Sequence, residues 1–169
     1  MDITLVLLGV VLITYGWYWA GITESRTTAY ALGVGSLLLA LTFAFTGGQG
    51  GDAIGGGLWA LGAIFAFLAA ANAWNESSQD RTYGMFALLF AIGAFFAFMA
   101  FDTAGDIAGQ YSYSALLLVV TFIMHFISAA LVPDNRGFKA FAGWFTLFAG
   151  AALLYFGFAN ALDAAIDPL

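Results

Sequence analysis

The chain has 169 residues, 63% of them hydrophobic and 8% charged, with a net charge of −6. Ordinary soluble domains carry about 25% charged residues, and a mean hydropathy of +0.94 excludes a soluble globule and points to a polytopic membrane protein. The absence of cysteine excludes disulfides and thiolate metal sites, and a single histidine without clustered carboxylates speaks against a metal centre or any other cofactor.

The first apolar run, Ile3–Ala20, has no basic segment before it and no small-residue cleavage pattern after it. It reads as a retained helix rather than a leader. Five more runs follow: Thr27–Thr46, Ile54–Trp74, Tyr83–Phe101, Tyr111–Val132 and Phe138–Ala161. Each has about 18 to 24 residues, enough for a helix to cross a hydrocarbon core of about 30 Å. The runs lack the two-residue alternation that a membrane β-barrel needs. The expected fold is therefore an all-α membrane protein, one domain over residues 1–169, with six transmembrane helices. The short connectors GITESR, GGQGGD, NESSQDR, DTAGDIAGQ and PDNRG leave no room for a further domain.

The basic residues set the orientation. Arg26, Arg81, Arg136 and Lys139 all fall at the first, third and fifth connectors. The positive-inside rule puts those connectors in the cytoplasm and both termini outside. Glu24, Glu76, Asp80 and Asp134 share that side, while Asp2, Asp52, Asp102, Asp106, Asp163 and Asp167 fall on the other. The arginines are 55 residues apart (81 − 26 and 136 − 81), the length of one helical hairpin, which predicts three successive hairpins. An acid precedes each arginine (Glu24, Asp80, Asp134), placed to cap the next helix. Tyr30, Tyr83 or Phe138 follows, placed as an interfacial anchor, and Trp17, Trp19, Trp74, Tyr111 and Tyr113 read as belt residues. Ala29 with Gly33, and Gly93 with Ala97, form small-residue pairs suited to close helix packing.

No Asp, Glu, Lys or Arg lies near the middle of a run, and the only prolines are Pro133 and Pro168. Ion-coupled carriers and pumps use such intramembrane charges and broken helices. No nucleophile–histidine–acid spacing and no carboxylate pair suggests catalysis, so an enzyme is not expected. Nor is a nucleic-acid partner expected. A passive pathway for an uncharged solute fits better. Burying an amide without partners costs roughly 2–7 kcal/mol, so such a pathway needs occasional hydrogen-bonding groups. Thr14, Tyr15, Asn72, Thr121 and Thr146 are the candidates. His125 is either a pH-sensitive pore group or a neutral ring bonded between helices. The lack of a carboxylate within sequence reach favours the second reading.

The landmarks also resemble the AmiS/UreI family of urea and short-chain amide channels. LVLLGVVLITYG is similar to that family's opening helix, and TTAYALGVGSLLLAL to its glycine-bearing second helix. AAANAW resembles the end of its third helix, and DRTYGMFALLFAIGA its Asp-x-Arg-x-Tyr turn, with Asp80 and Arg81 adjacent here. FIMHFISAALVP and GWFTLFAG complete the order along nearly the whole chain. The resemblance implies a six-helix protomer of three hairpins with its own pore. It also implies a ring-shaped homohexamer in the inner or plasma membrane, and an intracellular amidase or urease as metabolic partner. Carried over, the pore lining is Leu5, Leu8 and Leu12, then Ile64 and Leu68, then Leu118 and Phe122. Leu68 stands for a family tyrosine, Leu118 and Phe122 for tryptophans, and GGQGGD for a histidine-rich outer loop. The implied function is passive passage of small neutral amides such as urea or acetamide. The alternatives are another small metabolite (a monocarboxylate or ammonia) or a structural membrane protein. An acidic outer face and the missing Asn-Pro-Ala-Pro signature of acetate transporters weigh against a monocarboxylate.

Overall fold

The computed structural model describes residues 3–44, 53–76, 80–103 and 108–166, and it is helical throughout. The helices are α1 (Ile3–Trp19), α2 (Ser25–Thr42), α3 (Ala53–Trp74), α4 (Asp80–Thr103), α5 (Ala108–Phe126) and α6 (Arg136–Ile166). A π-helical segment, Ile127–Leu131, continues α5. Among the described residues, three stretches are long and apolar enough to cross a membrane: Asp80–Ala100, Tyr111–Leu131 and Arg136–Ala159. Ile3–Trp19 and Ala60–Trp74 are shorter apolar helices. The side chains of the six aspartates expected on one outer face lie outside what the structure describes.

The helix ends show why the turns fall where they do. Gly21 adopts φ +78°. The Gly21 amide donates to the Tyr18 carbonyl at 3.0 Å and the Ile22 amide to the Trp17 carbonyl at 2.8 Å. This is the paired bonding of a Schellman motif, and it stops α1. Glu76 takes the same left-handed conformation after α3, at φ 52°. The expected acidic caps do not form as such. Glu24 occupies the N-cap position of α2 but makes no side-chain cap bond. At α6 the cap is Asn135, whose Oδ1 accepts from the Phe138 amide at 3.0 Å. Asp80 is engaged elsewhere, as described below.

Each helix packs against its sequence neighbours, and α6 returns to pack against α1, so the six close into a ring. The most extensive contacts are α1–α6, α4–α5 and α2–α3; the helices joined at the arginine turns touch less. The 55-residue spacing thus marks three tight pairs, each opened by an arginine-bearing even helix. The third pair, α6 with α1, is closed without a peptide connection.

Glycine makes that closure. A Cβ on Gly9 would lie 2.8 Å from the Gly150 carbonyl oxygen, and one on Gly16 would lie 2.8 Å from that of Gly143. The reciprocal contacts are as close, so α1 and α6 run antiparallel with backbones nearly touching. Gly84 of α4 likewise sits against Ala129 and Ala130 of the π-helical segment. Of the expected small-residue pairs, Gly33 has nothing within 4 Å of its Cβ position, and the Cβ position of Gly93 lies closest to the Leu61 side chain.

Candidate functional site

Helix α1 presents one continuous buried stripe to the interior. Its Leu5, Leu8, Leu12, Tyr15 and Trp19 are all buried, at steps of three and four that keep one stripe inward. The opposing helices bring Phe65 from α3, Tyr83 and Phe90 from α4, and Leu118, Phe122 and His125 from α5.

Along the ring axis the interior changes character. Phe65, Phe90 and Phe122 meet at mid-depth, with ring centroids 4.8 Å (Phe65–Phe122), 5.7 Å (Phe90–Phe122) and 6.0 Å (Phe65–Phe90) apart. Toward the arginine turns the rings become amphipathic. Tyr15 lies against Phe65 at 5.8 Å, Tyr83 at 5.5 Å and His125 at 5.3 Å, and Trp19 meets His125 edge-on at 4.3 Å. These aromatic–aromatic geometries are mostly tilted or edge-to-face, as the ring quadrupoles favour.

Polar groups cluster in this amphipathic layer. Asn72 Nδ2 donates to the Tyr15 hydroxyl at 3.2 Å and to Asp80 Oδ1 at 2.9 Å. Donation to a carboxylate fixes which end of the amide faces Asp80. The Thr146 hydroxyl donates to the Ala142 carbonyl at 2.7 Å and lies 2.9 Å from His125 Nε2. With its one proton committed, that hydroxyl accepts, so His125 carries its proton on Nε2 and presents Nδ1 as a bare acceptor. His125 Nδ1 and Asn72 Oδ1 are buried with no hydrogen-bond partner among the described residues, while Trp19 Nε1 and the Tyr83 hydroxyl are buried facing the Tyr15 hydroxyl without a close hydrogen bond. Such groups are costly to leave unpaired in a fold.

The layer ends at an ion pair. Lys139 Nζ lies 2.5 Å from Asp80 Oδ2 and 4.9 Å from the centre of the Trp19 ring. Asp80 begins α4 and Lys139 lies in the first turn of α6. These helices are not neighbours in the ring, so the pair reaches across its arginine end.

The residues expected to line a pore are distributed as follows. Leu5, Leu8, Leu12, Leu118 and Phe122 are buried in the ring interior, and Leu68 is half-buried at its flank. Ile64 does not line the interior: it is 52% exposed on the outer surface, and Phe65, one residue on, takes the inward place. The α3 stripe runs through residues 62, 65, 69 and 72, which turns position 64 outward. Tyr15, Asn72, His125 and Thr146 come together in the amphipathic layer. Thr121 is buried, and its hydroxyl donates to its own helix at the Leu117 carbonyl, 2.7 Å away. Thr14 does the same to Val10 at 2.9 Å, on the bundle's flank. At the turn, Arg81 is exposed, whereas Tyr83 is buried and Asp80 paired. Tyr83 and Trp19 are therefore interior residues rather than interfacial anchors. Tyr30, Trp17 and Trp74 do face outward.

Sequence alone does not signal the interior places of Trp19, Phe65 and Phe90, nor the place of Lys139 at the end of the interior. Helix phase links two of them to the site. Trp19 lies four residues beyond Tyr15, and Phe65 seven residues before Asn72, each on the same helical stripe as a residue already singled out.

No family's sequence profile matches the chain, and no curated protein sequence does. A solved structure of the bacterial acetate channel SatP is similar in fold, with a TM-score of 0.61 over 96% of this chain and 92% of that chain, at 18% sequence identity.

Proposed function

We propose that the protein is a passive channel for small neutral amides such as urea or acetamide, with a pathway through each six-helix ring. The observation that carries this reading is the mixed set of buried donors and acceptors in the amphipathic layer, two of them, His125 Nδ1 and Asn72 Oδ1, without a partner among the described residues. Trp19 Nε1 is a donor, His125 Nδ1 and Asn72 Oδ1 are acceptors, and the Tyr83 hydroxyl is either. A primary amide carries a carbonyl acceptor and N–H donors, and so matches such a mixed set. A carboxylate anion offers acceptors only. The flat aromatic walls suit a thin planar solute. Lys139 presents no net charge to the pathway, because Asp80 neutralises it.

All six helices cross the membrane in this reading. The arginine turns face the cytoplasm and both termini lie outside, supported by the placement of every basic residue at one end. The protomers assemble as a homohexamer in the plasma membrane, as the family resemblance implies, with lipid against their outer faces. A second reading rests on the fold likeness to an acetate channel: the solute is a short monocarboxylic acid crossing in its neutral form, which also carries one donor and one acceptor.

Stopped-flow shrink–swell of proteoliposomes separates the two. The expected result is urea or acetamide uptake well above that of protein-free liposomes and independent of pH between 5 and 8. Uptake of acetate alone, rising steeply toward acid pH beyond the protein-free control, would favour the second reading. Neither solute moving faster than the control would overturn both.

A further inference from the structure

We propose that the Asp80–Lys139 pair is the selectivity latch of this pathway, opened by a solute that replaces both halves of the pair at once. The proposal rests on the channel reading given above. Four observations converge on it. The pair joins two helices that are not ring neighbours, so it bridges the end of the interior instead of stitching an interface. It is only partly exposed, at 21% and 12% for the two side chains, so its charges are weakly screened. It is coupled inward, since Asn72 bonds both Asp80 and Tyr15. Its ammonium lies over the flat face of Trp19.

A solute at this point meets an ammonium and a carboxylate side by side. An amide answers both, its carbonyl oxygen accepting from Lys139 Nζ and its N–H donating to Asp80, while its plane lies on Trp19. Two charge-assisted hydrogen bonds then replace the ion pair with no charge left bare. A carboxylate anion satisfies Lys139 but leaves Asp80 facing a like charge, which is unfavourable where water is scarce. The latch therefore rejects anions by the half of the pair that they cannot replace. Lys139 and Asp80 set specificity and not merely stability.

The experiment measures acetamide uptake and acetate uptake at pH 8, where acetate is ionised, in the same proteoliposomes. The wild-type protein is expected to carry acetamide and exclude acetate. Asp80→Asn removes the repelling half, and the acetate-to-acetamide ratio should rise by about tenfold, equivalent to about 1.4 kcal/mol of discrimination. Lys139→Met removes the other half; acetamide uptake should fall without any rise in that ratio. The exchange variant, Asp80→Lys with Lys139→Asp, rebuilds the pair in reverse and should return the ratio toward the wild-type value, and it keeps the test open if a single variant does not fold. An Asp80→Asn protein that carries acetamide with an unchanged ratio would overturn the latch while leaving the channel reading standing. An exchange variant as unselective as Asp80→Asn would overturn it too. A wild-type protein that carries no acetamide overturns the channel reading, and the latch with it.

Discussion

The amphipathic layer depends on individual hydrogen bonds whose loss has calculable direction. Thr146→Val removes the acceptor of His125 Nε2–H and leaves a fully buried donor unpaired. A loss of about 1–3 kcal/mol is expected, read as a lower melting temperature in detergent, with Thr146→Ser close to wild type because it restores the hydroxyl. Equal melting of Thr146→Val and wild type would show that the bond is not formed. Glu76 behaves oppositely. It holds a left-handed backbone that side chains with a Cβ resist, so Glu76→Gly should raise stability by about 1 kcal/mol in the same assay. At this scale the sequence was half legible. Tyr15, Asn72, His125 and Thr146 stood out because polar groups are rare in an apolar helix. Lys139 did not, because a lysine beside a predicted turn looks like an orientation signal, and only the third dimension brings it to Asp80, 59 residues away. Tyr83 misled for the same reason: its place beside Arg81 suggested the interface, while its helix phase turned it inward.

Among the elements, the α1–α6 seam is the most exacting. A Cβ at Gly143 would lie 2.4 Å from the Ala20 backbone nitrogen and 2.7 Å from the Trp19 carbonyl carbon. Backbone cannot rotate aside as a side chain can, so Gly143→Ala should destabilise the fold by about 1–3 kcal/mol, despite alanine's better helix propensity. Gly33→Ala is the contrasting case. With nothing within 4 Å, the substitution should gain up to about 1 kcal/mol, and a loss instead would place Gly33 against a neighbouring protomer. Both are read by thermal unfolding of the purified protein. The helices themselves were legible, since long apolar runs punctuated by polar turns have few solutions. Their phases were not. The outer face carries Val34, Phe67, Leu89 and Phe148 as exposed residues, while Leu32, Phe65, Phe90 and Ala149 beside them are buried. When lipid and interior demand the same residue types, hydrophobic periodicity no longer tells inside from outside. Resemblance alone points Ile64 inward, and one residue of helix phase gives that place to Phe65 instead.

For the whole molecule, the 55-residue spacing of arginines announced three repeated pairs, yet the pairing itself was offset from the obvious one. Loops suggest that α1 belongs with α2, but the tighter partner of α1 is α6. The cause lies in Gly9, Gly16, Gly143 and Gly150, two glycine pairs each seven residues apart, which no local pattern connects across more than 120 intervening residues. This geometry has a consequence for biogenesis. The glycine face of α1 is synthesised before its matching surface on α6. The glycine face of α1 therefore stays uncovered until α6 has been made, and the ring closes only then. Closure of the ring is thus a late event. Chains arrested before α6 should be extracted and degraded rather than left as leaky partial rings.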